Sequence, residues 1–143
     1  MARYTTVVRS PMSQQEAFDY VADLRNFEDW DPGVKSSTQV VGESAGLGAE
    51  YDVELSTMTL RYKISEFREP ERTKVEAHSP LLSSYDTIEV AETPDGSDIR
   101  YDAVIKLSGP LKLIDPLFAL VFNRIGDKAA EGMVRMLNGT KVS

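Results

Sequence analysis

Three separate stretches of this chain alternate apolar and polar residues with a period of two. Tyr51, Val53 and Leu55 alternate with Asp52, Glu54 and Ser56. Met58, Leu60, Tyr62 and Ile64 alternate with Thr59, Arg61, Lys63 and Ser65. Ile99, Tyr101, Ala103, Ile105 and Leu107 alternate with Arg100, Asp102, Val104, Lys106 and Ser108. Side chains of a strand point to opposite faces in turn, so this pattern predicts strands with one wet face and one that must be covered. The apolar members are expected beneath a cover. Asp52, Glu54, Arg61, Lys63, Arg100 and Asp102 are expected in water.

The cover is found at the end of the chain. Leu117, Val121, Ile125, Ala129 and Met133 recur at i, i+4, widened by Phe118, Phe122 and Leu137, while Arg124, Lys128, Glu131 and Arg135 form a polar face. This predicts a long helix with Asp115 as N-cap, Pro116 at the first helical position and an end near Asn138-Gly139. It is the only segment long enough to cover the sheet, and it is expected to lay Val121 centrally on the sheet side. A strongly twisted sheet wrapped around one helix leaves space between them.

The remaining segments fit the same plan. Residues 3–9 are rich in β-formers and predict a first strand, broken by Ser10-Pro11. Ser13 followed by Glu16 is a capping box, with Ala17, Phe18, Val21 and Leu24 at helical spacing behind it. Asp23 caps a second short helix that stops at Trp30-Asp31-Pro32-Gly33, because proline disfavours helix at the residue before it. Further strands are predicted at 38–41, 73–78 and 85–92. Thr93-Pro94-Asp95-Gly96 is a hairpin turn. The strand at 85–92 has two readings. Ile88 and Val90 turn one face inward, and Asp86 with it; a glycine bulge after the turn instead sets Tyr85, Thr87 and Glu89 opposite Ile99 and Tyr101. A one-residue slip exchanges the faces.

Composition excludes several function classes. The 143 residues suit one domain spanning 1–143. With no cysteine there is no disulfide or thiolate chemistry, and the one histidine, His78, rules out a multi-histidine metal site. A net charge of −7 argues against nucleic acid and anionic membrane surfaces as partners. No segment reaches the ~20 apolar residues of a membrane span, and no targeting signal is read, so a cytoplasmic location is expected. Phosphate-loop, dinucleotide and nucleophile-elbow motifs are missing, and no metal or cofactor is expected.

The order of strand, two short helices, about six antiparallel strands and a long helix resembles the helix-grip fold of the START and birch-allergen-like superfamily (SRPBCC), also called polyketide cyclase/dehydrase and lipid-transport proteins. The resemblance covers nearly the whole chain. It is carried by the capped helix from Ser13, the segment Asn26-Phe27-Glu28-Asp29-Trp30-Asp31-Pro32-Gly33-Val34, the Thr93–Gly96 turn and Ser108-Gly109-Pro110-Leu111 before the last helix. It implies an α+β fold, with a strongly curved antiparallel sheet of about seven strands around the C-terminal helix.

If a ligand site lies between sheet and helix, its walls are expected from Tyr51, Leu60, Tyr62, Ile99, Tyr101, Leu117, Val121 and Ile125, with Trp30 near the entrance. Inward tyrosines would place hydroxyls among apolar walls, as small-molecule sites do. Trp30 reads first as a packing anchor that fixes the helix pair against the sheet, and second as a ligand contact. Arg124 reads as snorkelling to solvent or as facing an acidic ligand group. An inward Asp86 would be a buried carboxyl with a raised pKa and an acid–base role. His78, at a strand end, is a second catalytic candidate. Glu28, Asp29 and Asp31 read as a solvated turn.

Three functions follow. The first is binding or carriage of an apolar aromatic, polyketide-like or lipid-like small molecule. The second is a polyketide cyclase or dehydratase, for which no diagnostic catalytic motif is present. The third is a partner-protein-binding module of the quinone-linked type, whose mark would be a large exposed apolar patch. The ligand and the oligomeric state are not legible in the sequence.

Overall fold

A computed structural model describes residues Met1–Ser143, the side chain of Asp115 excepted. Strand β1 (Ala2–Ser10) is followed by helix α1 (Gln14–Ala22), a 3-10 turn (Leu24–Asn26) and the short helix α2 (Phe27–Trp30). Strands β2 (Val34–Val41), β3 (Glu50–Leu55), β4 (Thr59–Arg68), β5 (Arg72–His78), β6 (Leu82–Thr93) and β7 (Gly96–Leu107) come next. A 3-10 segment (Gly109–Ile114) leads into α3 (Asp115–Met136), and β8 (Thr140–Lys141) ends the order. The strands form one antiparallel, curled but unclosed sheet in the order β2-β3-β4-β5-β6-β7-β1-β8. This is the helix-grip arrangement, with β8 as an eighth strand too short to carry a periodic signal.

Local chemistry sets the boundaries. The Ser13 hydroxyl accepts from the Glu16 amide at 3.1 Å and donates to the Glu16 carboxylate at 2.9 Å, starting α1. Asp23 accepts from the Arg25 amide at 3.0 Å and starts the 3-10 turn. The α2 helix ends at Trp30, ahead of Pro32. At the far end Asn138 takes a left-handed φ of 53°, and Gly139 N–H donates to the Val134 carbonyl, closing α3. The α3 start differs from expectation. Asp115 is already helical and Ile114 holds the N-cap position. The Asp115 side chain lies outside the described structure.

The sheet faces follow the alternation. Tyr51, Val53, Leu60, Tyr62, Ile64, Ile99, Tyr101, Ala103 and Leu107 are buried, while Leu55, Met58 and Ile105 are half-buried. The outer face carries charge pairs, including Arg3–Asp102, Arg9–Asp98 and Arg61–Asp52. The cover is shared rather than supplied by α3 alone. Helix α1 buries Ala17, Phe18 and Val21 against β6 and β7, and α2 sits between α3 and β2.

The β6–β7 hairpin resolves the two readings of its first strand. Thr93 pairs with Gly96 across a two-residue loop, so no bulge shifts the register. Ile88 lies opposite Tyr101, Val90 opposite Ile99 and Asp86 opposite Ala103. Ser84, Asp86, Ile88 and Val90 therefore face the interior.

Candidate functional site

The site is created by the way α3 meets the sheet. Its C-terminal half lies close, because several residues that it turns toward the sheet are small. A Cβ at Gly126 would overlap the Tyr4 ring, and one at Gly132 would overlap the Trp30 carbonyl. Ala129, Ala130, Met133 and Leu137 fill the rest of that contact. The N-terminal half stands off on two aromatic rings. Phe118 and Phe122 stack with centroids 5.7 Å apart, Phe122 buried and Phe118 half-buried.

Between those rings and the sheet lies a cavity of about 300 Å³. Phe27, Val34, Leu82, Ala103 and Ile105 extend its apolar wall. Its exposed lining residues, Gly33, Ser56, Thr57 and Ile125, mark the mouth. Five polar side chains that reach it from within the fold are Asp31, Tyr62, Ser84, Asp86 and Tyr101. No lysine, arginine or histidine lines it.

The two carboxyl groups differ in their partners. Asp31 accepts from the Gly33 amide at 2.9 Å, an Asx turn shaped by the Asp-Pro-Gly sequence. Asp86, on β6, is 5% exposed, and its carboxyl makes no hydrogen bond among the described residues. Burial pushes the Asp86 carboxyl up to about 8, and the negative charges of Asp31 and Asp102 add to this. Burial also raises Asp31, against the opposing pull of its amide donor. The Tyr62 hydroxyl donates to Ser84 Oγ at 3.2 Å. The Tyr101 hydroxyl has no protein partner among the described residues. Burial raises both phenols, keeping them protonated hydrogen-bond donors.

The expected wall residues separate into three groups. Tyr62, Tyr101 and Ile125 line the cavity. Trp30, Tyr51, Leu60 and Ile99 are buried but do not reach it. Trp30 is a packing element, held edge-on to Tyr101 at 5.3 Å and tilted against Phe27 at 4.8 Å. Leu117, Val121 and Arg124 point outward, Leu117 being 66% and Val121 48% exposed. In the first half of α3 the stripe expected through Leu117 and Val121 is displaced by one residue, because the buried line runs through Phe118, Phe122 and Gly126, while Ala129 and Met133 farther along it are buried as expected. With Leu113 and Leu120, also exposed, Leu117 and Val121 leave apolar side chains in solvent.

His78 lies outside the cavity, exposed at the end of β5, with its ring nitrogens 3.0 Å from Ser83 Oγ and 3.3 Å from a Glu76 carboxylate oxygen. It forms no pair with Asp86. Asp31 departs from the solvated turn expected for it. Its helix neighbour Trp30 is driven into the core, and the Asx turn carries the carboxyl inward with the chain.

Comparison with known proteins gives the same fold. The sequence matches the family described as polyketide cyclase / dehydrase and lipid transport over residues 1–138. No curated protein sequence matches. Among solved structures, a START superfamily protein from Mycobacterium smegmatis superposes with a TM-score of 0.76 at 12% identity, covering 96% of this chain and 98% of that one. A conserved protein from Geobacillus kaustophilus gives 0.66 at 12% identity, covering 97% and 98%. Ara h 8.0201 gives 0.60 at 13% identity, covering 93% and 97%. At such identities these likenesses speak to fold alone. No helix of the described residues is long and apolar enough to cross a membrane.

Proposed function

The chain belongs to the polyketide cyclase / dehydrase and lipid transport family, and from that premise we propose that it is a cytoplasmic protein that binds an apolar small molecule between its sheet and α3. The observation that carries this reading is the cavity of about 300 Å³, apolar in its walls with a few convergent polar groups. Tyr62, Tyr101, Phe118, Phe122 and Ile125 are the residues assigned to touch the ligand's apolar body. The tyrosine hydroxyls select among ligands, because a ligand that leaves them unpaired forfeits hydrogen bonds that water supplied before. A ring that buries ~200 Å² gains about 5 kcal/mol before association costs, so micromolar to millimolar affinity is expected for a simple aromatic. Native mass spectrometry of freshly purified protein tests this. A retained apolar molecule supports it; a bare protein that also fails to bind any of a panel of flat aromatics, quinones and fatty acids rejects it.

A second reading is enzymatic, as a cyclase or dehydratase. It is favoured by Asp86, a cavity carboxyl whose pKa near 8 suits proton transfer around neutrality. A ligand recovered with a water lost after incubation would support catalysis over carriage. The partner-binding alternative draws on the exposed side chains of Leu113, Leu117, Leu120 and Val121.

A further inference from the structure

The cavity combines two acidic groups, several aromatic faces and no basic side chain. Asp31 and Asp86 both line it, with Phe27, Tyr62, Tyr101, Phe118 and Phe122 around them. Asp86 is buried, faces the space and has no protein partner among the described residues. An unpaired carboxyl in such a place is costly unless something in the cavity completes it. We infer that the ligand is an organic amine: an apolar, ring-sized body bearing an ammonium group that sits against Asp86 and Asp31 beneath the aromatic rings. The inference rests on the binding reading and names the chemical class that the cavity accepts.

Three features of the cavity favour this class. Aromatic faces attract cations through their ring quadrupoles, and a carboxylate adds a charge-assisted hydrogen bond. A carboxylate or phosphate headgroup would meet two acidic groups and no cation, which disfavours fatty acids and lipid phosphates. A metal ion is disfavoured too, because among the described residues no group of three His, Cys, Asp or Glu side chains comes together. An organic cation is the positive partner that remains.

The empty and filled states differ by a proton. Asp31 accepts a hydrogen bond from the Gly33 amide, whereas Asp86 has no donor and keeps its proton near neutrality. Entry of an ammonium group makes ionised Asp86 the favoured form, and the carboxyl proton leaves to solvent. The groups facing Asp86 are Asp31 from the loop after α2, Tyr62 from β4 and Tyr101 from β7, with Asp102 acting from the outer face. The α3 residues over it, from Phe118 to Ala129, contribute no titratable side chain to the cavity. Affinity for an amine should therefore rise up to about tenfold per pH unit between roughly pH 6 and 8 and then level off. The amine used below is an arylmethylamine, less basic than lysine but still mostly charged up to pH 8.

The test uses three ligands with one body: 2-naphthylmethylamine, 2-naphthylmethanol and 2-naphthoic acid. Binding is followed by calorimetry and by the emission of Trp30, which packs on Tyr101 and Phe27 behind the cavity wall. At pH 8 the amine should bind at least about tenfold more tightly than the alcohol, and the acid most weakly. Calorimetry in buffers of different ionisation enthalpy should report release of close to one proton per amine at pH 7, and none for the alcohol. Asp86→Asn should abolish both the amine's preference over the alcohol and the proton release that accompanies amine binding. The wild-type proton release stands as an independent measurement should that variant fold poorly. Alcohol or acid binding as tightly as the amine, or amine binding without proton release, overturns the amine assignment and leaves the binding reading intact. Silence from all three ligands at millimolar concentration also overturns the amine assignment, and the quinone and fatty-acid panel together with native mass spectrometry then decides the binding reading.

Discussion

The two halves of α3 solve the same packing problem in opposite ways. From Gly126 onward the helix presses its backbone onto Tyr4 and Trp30, and no room remains. Before Gly126 it rests on Phe118 and Phe122, and a cavity remains beneath. One continuous helix is thus a structural clamp at one end and a roof at the other. Residue size at the contact separates the two roles. Small side chains let the axis approach; large ones hold it away and leave gaps that their rings cannot fill.

The largest effect is expected where the clamp has no tolerance. Gly132→Val places side-chain atoms where the Trp30 carbonyl stands, and backbone cannot yield as a flexible side chain would. A loss of about 4 kcal/mol or failure to fold is expected in urea denaturation. A variant as stable as wild type would mean that α3 does not lie this close.

Under the roof the expected effect depends on pH. The folded Asp86 carboxyl stands near 8 and the unfolded one near the ordinary 3.8. Between those values the native state holds a proton that the unfolded state has released, so stability falls as pH rises. The fall should approach a few kcal/mol between pH 5 and 8, with ~4 kcal/mol as the upper bound from 1.36 kcal/mol per unit. Buried Asp31 acts in the same direction. Glu66, Glu76, Asp98, Asp102 and Asp127, held low by hydrogen bonds and basic neighbours, act in the opposite sense but in the acid range below that window. Denaturation midpoints of Asp86→Asn should be flatter across pH 5–8 than those of wild type. Parallel curves would show that the carboxyl is not buried as described.

Removing a prop should cost less. Phe122→Ala deletes a buried ring, but one side of it already faces empty space. A loss of about 2–3 kcal/mol is expected, at or below the lower end for buried phenylalanine. A crystal structure should show a larger cavity or a lowered roof. The smallest effect is expected on the roof's outer side. Val121→Asp changes an exposed position and should alter stability by less than about 0.5 kcal/mol. A loss of several kcal/mol would return Val121 to the sheet side.

That last contrast shows where the sequence stops being readable. The sheet faces were legible because polar residues occupy every second position, and only one assignment keeps Arg61 and Asp102 in water. The helix face was not, because residues 117–122 form an unbroken apolar run that covers all sides of the helix. A count of apolar residues at i, i+4 follows Leu117, Val121 and Ile125, while the contact line passes through Gly126, which carries no hydrophobic signal at all. Asp86 was half-legible: its own strand pointed it inward, and only the loop length, two residues without a bulge, decided the matter. Asp31 was hidden by its neighbours, since Glu28 and Asp29 made an acidic turn look uniformly wet. The signal that could have found it is Trp30 followed by Asp-Pro-Gly, a buried ring and a turn that folds the carboxyl back.

The strand order has a consequence in time as well as in space. Strands β2 to β7 form a meander in which each pairs with the next, so their contacts are local. β1 is instead clasped between β7 and β8, and its Arg3 reaches Asp102 at a separation of 99 positions. Closing so long a loop costs entropy that no nearby contact repays, and rates fall as contacts become distant. β1, which precedes the other strands of this sheet in the chain, should therefore be among the last to find its place. Until β7 emerges it waits as a lone β-prone segment, and its outward Arg3 and Arg9 supply the charge that discourages wrong pairings during the wait.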